Sequence, residues 1–158
     1  MTVLITLLIL TDISAVYFAK RGLTQATEAA AQRGVRNLDL DSYYRGKYNA
    51  SQFLINLTSQ GESDPGIPID CSKGRNDALS AIQELSSSRH SLLGAHIGEI
   101  KVDHMSCDGY QLSIETSSYA TLPFLIPFIN IEKVEIRTRV GSFDERKVTT
   151  NYYGINVG

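Results

Sequence analysis

Tryptophan is absent from this chain of 158 residues, proline occurs four times, and the only cysteines are Cys71 and Cys107. Two cysteines are too few for a disulfide scaffold, and they stand too far apart for a zinc knuckle. Neither sign of charge dominates, with 15 Lys and Arg against 17 Asp and Glu and a net charge of −2. The basic residues form no stripe interleaved with aromatics, so no nucleic-acid partner is expected. Catalytic motifs are missing too. There is no G-x-S-x-G, no P-loop, no H-E-x-x-H and no glycine-rich dinucleotide turn. Three histidines, His90, His96 and His104, are dispersed. His96 and His104 with Asp103 and Cys107 could be imagined around a metal, but such scattered histidines are ordinarily surface or core groups. The expectation is no enzyme, no cofactor, no metal and no small-molecule substrate.

What the chain does have is a long apolar start. Residues 2–10, TVLITLLIL, carry no charge, and apolar or small residues continue past Asp12 to Ala19, where Lys20 and Arg21 end the run. From Thr2 to Ala19 a helix would span about 27 Å at 1.5 Å per residue, close to a hydrocarbon core of about 30 Å. A cleaved signal peptide would place basic residues before the run and a small-x-small site after it; neither is present. A buried core helix has little use for Asp12. A membrane or filament-core helix fits best. Asp12 then has two readings. It sits at the outer interface, or it pairs with a cation on a neighbouring helix during assembly.

Helical spacing continues beyond the basic pair. Ile13, Val16, Leu23, Ala26, Ala30 and Gly34 share a stripe, small residues on it allow close approach of a neighbouring backbone, and Gly34 and Asn37 predict an end between Arg33 and Leu38. The part past the basic pair is expected to pack on a soluble domain.

Asp12, Tyr17, Ala19-Lys20-Arg21, Leu23, Ala26 and Glu28-Ala29-Ala30-Ala31 together resemble the N-terminal signature of TadE/TadG-like proteins. These are minor pseudopilins of the Tad (Flp-type) branch of type IV pili. The resemblance covers about residues 3–35. It implies a pilin-like helix with Asp12, Tyr17, Lys20, Arg21, Leu23, Ala26 and Ala30 as assembly residues. It also implies membrane lipid, other pilin or pseudopilin subunits and the pilus-assembly machinery as partners. The family's basic leader and early Glu do not precede Asp12 here, so the resemblance carries no expectation about processing.

The remainder reads as a small α+β domain, giving a division into residues 1–37 and 38–158. Phe53, Leu54 and Leu57 suit a short helix capped near Asn49 or Ser51. The loop GESDPGIPIDCSKG, residues 61–74, precedes a helix that Asn76 would cap, with Leu79, Ile82 and Leu85 as its face. Period-two alternation over 96–105, 110–120 and 131–140 predicts three strands of an antiparallel sheet with one wet face. Val134, Ile136, Thr138 and Val140 would face the core. Cys107-Asp108-Gly109 is a hairpin turn signal. In an exported chain, Cys71 and Cys107 would pair and tie the loop to this hairpin. Residues 121–131, TLPFLIPFINI, are either a cover for the core or an apolar lip touching membrane or partner. The tail is expected to add an edge strand at 147–153 or stay loose. A head outside the cytoplasm on a membrane helix leaves two functional classes: a structural pilus component, or an anchored binding or sensor domain.

Overall fold

The computed structural model describes residues 2–44, 67–87, 97–124, 131–143, 151–152 and 155–156. The fold is α+β: a long N-terminal helix, short helices and a three-stranded antiparallel sheet. Helix α1 runs Thr2–Val35, 34 residues, or about 51 Å. It is followed by α2 (Leu40–Tyr44) and α3 (Cys71–Ser87). The sheet has β1 (Lys101–Cys107), β2 (Gln111–Thr121) and β3 (Lys133–Phe143) in the order β1-β2-β3.

The alternation on β2 and β3 follows the sequence pattern except at Ser117, which is buried out of phase. On β3, Ile136 is buried and Val134, Thr138 and Val140 are half-buried, whereas Glu135, Arg137 and Arg139 are exposed. On β2, Leu112, Ile114, Thr116, Ser118 and Ala120 are all buried. β1 is less regular. Its pairing with β2 shifts between Val102 and His104, leaving Asp103 as the extra residue of a bulge. The inward side changes phase there, from Ile100 and Val102 to Met105 and Cys107. Ile97 pairs only as an isolated bridge with Ala120, so the strand starts later than the pattern suggests. In the hairpin turn, Gly109 takes φ +97°, a conformation that costs glycine least. Asp108 Oδ1 accepts the N–H groups of Tyr110 and Gln111 at 2.9 and 2.7 Å.

Three contacts lay α1 along the sheet, antiparallel to β2. Gly34 lies against Leu112, Thr27 bonds Thr116 at 2.7 Å, and Phe124 N–H reaches Asp12 at 3.2 Å. Helix α3 covers the far end of α1. It begins at Cys71, five residues before the expected start at Asn76, because Asp70 caps it: Asp70 Oδ1 accepts from the N–H of Ser72 and of Lys73. Its buried side is Gly74, Ala78, Ala81 and Ile82, with Leu85 half-buried. Leu79 is turned outward, 42% exposed. Of the expected face, Ile82 and Leu85 do turn inward and only Leu79 is corrected, the rest of the contact with α1 being made by small residues. A Cβ on Gly74 would stand 2.9 Å from Gly34 O, so only glycines let the two backbones meet.

The Cys71–Cys107 disulfide is present, with Cα atoms 5.8 Å apart, and joins the first residue of α3 to the last of β1. The short helix expected near 51–57 lies outside the described residues. α2 was not foreseen; Asp39 starts it, accepting Ser42 N–H at 3.1 Å and Ser42 Oγ at 2.6 Å. In the tail, Asn151–Tyr152 (β4) pairs with Ile155–Asn156 (β5), so the described part of the tail forms its own hairpin.

Candidate membrane and assembly helix

Helix α1 has two halves with opposite surroundings. Val3, Leu4, Ile5, Leu7, Ile9 and Leu10 are exposed, as are Ile13, Tyr17 and Phe18 further along. Val3–Val35 contains a stretch long and apolar enough to cross a membrane, and little of that stretch is buried by the head. The hydroxyls within it bond back to their own helix, Thr11 to Leu7 O and Ser14 to Leu10 O, both at 2.8 Å. That is how lone hydroxyls are satisfied where no water reaches.

From Ala19 onward one face of the helix disappears into the head. Ala19, Leu23, Ala26, Ala30, Ala31 and Val35 are buried with Ile114, Ala120 and Ile136. Of the sequence-predicted assembly residues, Leu23, Ala26 and Ala30 therefore pack within their own chain. Val16 is half-buried against this core, and Ile13 on the same stripe is exposed. Two threonine pairs, missed in the sequence, bolt helix to sheet. Thr27 Oγ1 donates to Leu23 O and lies 2.7 Å from Thr116 Oγ1, so Thr116 must be the donor between them. Thr24 and Thr138 repeat the arrangement, with Thr24 donating to Lys20 O. Their only signal was position: Thr24 and Thr27 fall among Leu23, Ala26 and Ala30 on one face.

Tyr17, Lys20 and Arg21 stay on the outside of α1, with Tyr17 packed edge-on to Phe18, ring centroids 6.0 Å apart. Asp12 does not. It is 4% exposed, Oδ1 accepts the Phe124 N–H, and Oδ2 is buried with no hydrogen-bond partner among the described residues. Its described contact is thus with its own chain, just after β2. A buried carboxylate oxygen without a donor costs about 1–3 kcal/mol or more.

On the outer face of the sheet, Ser106, Asp108, Gln111, Ser113, Arg139 and Gly141 line an open groove of 460 Å³. The Arg139 guanidinium donates weakly to Ser113 Oγ at 3.4 Å. Asp108 is held below the usual carboxylate range by the N–H groups of Tyr110 and then Gln111, so it remains charged. Cys107 cannot serve a metal, since its sulfur is bonded to Cys71. His96 lies outside the described residues, and among the described residues no three His, Cys, Asp or Glu cluster as metal ligands. Compared with known proteins, the chain matches no family model, no curated protein and no solved structure.

Proposed function

We propose that the chain is a structural, non-catalytic minor pilin or pilus-assembly component of a Tad/type IV-like pilus, as its TadE/TadG-like N-terminus suggests. The observation that carries this is the division of α1. Its first half offers apolar side chains outward, and its second half is built into the head. Such a helix can rest in the cytoplasmic membrane and later pack among other pilin or pseudopilin helices, with the head outside the cytoplasm throughout. The Cys71–Cys107 bridge fits an oxidising compartment. Filaments sheared from cells test the reading. The chain should co-purify with them or be required for their formation; intact filaments in its absence, without it as a component, would exclude it.

A second reading rests on the outer groove. Its guanidinium, carboxylate, amide and hydroxyls suit a membrane-anchored binding or sensor domain. A ligand whose binding is lost in Arg139→Ala, together with absence of the chain from sheared filaments, would favour that reading.

A further inference from the structure

We infer that the outer groove binds a hydroxylated carboxylic acid, a sugar acid of the uronate class, with Arg139 taking the carboxylate. This rests on the reading of the groove as a binding site and names its ligand; it holds for an anchored head and for a filament component alike. Rows of register partners cross the outer face of the sheet. His104, Glu115 and Arg139 form one, and Ser106, Ser113 and Gly141 the next. The second row carries two hydroxyls and a bare glycine, so it is a trough between taller neighbours. Gln111 bounds it on the far side, with its Nε2 2.6 Å from where a Cβ on Gly141 would stand.

Arg139 is the group that selects an anion. It stands directly opposite Glu115, yet among the described residues no ion pair joins them. Its Nε–H turns instead toward Ser113 Oγ in the trough. Arg137, two residues away on the same face, is already engaged, donating twice to Glu135 Oε1 at 2.9 and 2.8 Å. The unspent donors of Arg139 match the two oxygens of a carboxylate, and the Ser106 and Ser113 hydroxyls and the Gln111 amide add donors beside it. Two acidic groups limit the charge. With Asp108 in the groove and Glu115 beside Arg139, the site is not net cationic, and a dianion such as phosphate is opposed. Asp108 instead suits a ligand's hydroxyl. A carboxylate offers about four acceptor sites, and the N–H groups of Tyr110 and Gln111 take two. The groove is also held still, since Cys107 in its wall is bonded to Cys71 and Gly109 O accepts the Ile69 N–H at 2.7 Å. Its 460 Å³ is of small-ligand size. This end of the sheet lies against Gly34, about 20 Å beyond Arg21 along α1. In the membrane reading of α1, that is the end of the head far from the lipid, where an extracellular saccharide would meet it.

The test is an NMR titration of the ¹⁵N-labelled full chain in detergent micelles with galacturonate, galactose, acetate and inorganic phosphate. Galacturonate should shift the amide signals of Ser113 and Gly141 saturably. Galactose lacks the carboxylate and acetate the hydroxyls, so each should bind at least about tenfold more weakly, as should phosphate. Arg139→Gln should weaken galacturonate roughly ten- to a hundredfold, the worth of hydrogen bonds to a charged group. Arg137→Gln should leave it unchanged. Both arginines are exposed, so both variants should keep the parent spectrum away from the groove. Galactose bound as tightly as galacturonate, or Arg139→Gln no weaker than Arg137→Gln, overturns the role of Arg139. Acetate or phosphate bound as tightly overturns the ligand class. Each of these results leaves a binding groove standing. No saturable shift with any of the four probes overturns the ligand and the groove together.

Discussion

Gly34 shows how much a missing side chain can matter. A Cβ there would collide with the Leu112 side chain and stand 2.8 Å from the Gly74 carbonyl oxygen. Leu112 is fully buried and cannot swing aside, and a backbone oxygen cannot rotate away. Alanine would gain about 1 kcal/mol in helix propensity, but overpacking costs typically 1–3 kcal/mol. Gly34→Ala should therefore be less stable than the parent chain, by up to about 2 kcal/mol, in denaturant unfolding carried out in detergent micelles. Gly141→Ala is the control. There the new Cβ meets only Gln111 Nε2, at 2.6 Å, the free end of a flexible side chain, so the change should be close to neutral. Equal losses at the two sites would contradict this account.

Three aspartates carry a pH prediction at the same scale. Asp39 is held low by the Ser42 hydroxyl and then its N–H, Asp70 by the Lys73 N–H, and Asp108 by the N–H groups of Tyr110 and Gln111. Each has a folded pKa below its unfolded value of about 3.9. Their contribution is thus complete above about pH 4 and is lost as pH falls through the folded values. Asp108 is exposed and Asp39 and Asp70 are only half-buried, so the loss should be gradual and modest. A melting temperature in micelles that rises on acidification from pH 5 to 2.5 would reverse the expected sign.

At the scale of elements, the two cysteines were legible as a pair, but the start of α3 was not. Gly74 sits four residues inside that helix, and a glycine after Pro-Ile-Asp-Cys-Ser-Lys reads as loop. What overrides propensity is the crossing of α1 and α3, where small residues at 34 and 74 let the backbones touch. The strands were legible because one face is wet, and period two then shows in the residue types. The bulge at Asp103 blurred β1, since it puts Ile100 and Val102 out of phase with Met105 and Cys107. The threonine bolts were invisible because a threonine's partner is set by tertiary contact. The disulfide staples these elements together across 36 positions of sequence, and the chain-entropy account gives it roughly 4 kcal/mol. A Cys71→Ser/Cys107→Ser double variant should lose about 2–4 kcal/mol in urea unfolding. A loss well under 1 kcal/mol would mean that α3 and β1 are held by packing alone.

At the scale of the whole molecule, α1 couples two environments that can be perturbed separately. Leu7 is exposed in the apolar half, while the head's core begins at Ala19. A charge at Leu7 should therefore weaken membrane insertion and leave the head folded. An arginine near the bilayer centre costs about 2.5–3.5 kcal/mol on insertion scales, so Leu7→Arg should lower membrane partition by about a hundredfold. The head should meanwhile keep its disulfide and its unfolding midpoint in micelles. Carbonate washing of membranes, followed by detection of the chain in pellet and supernatant, reads the first effect. Resistance of the bridge to mild reductant reads the second. Were Leu7→Arg to unfold the head, the apolar half would belong to the globule, and the membrane reading of α1 would lose its basis. Retention in the pellet with the head intact would instead place Leu7 away from lipid.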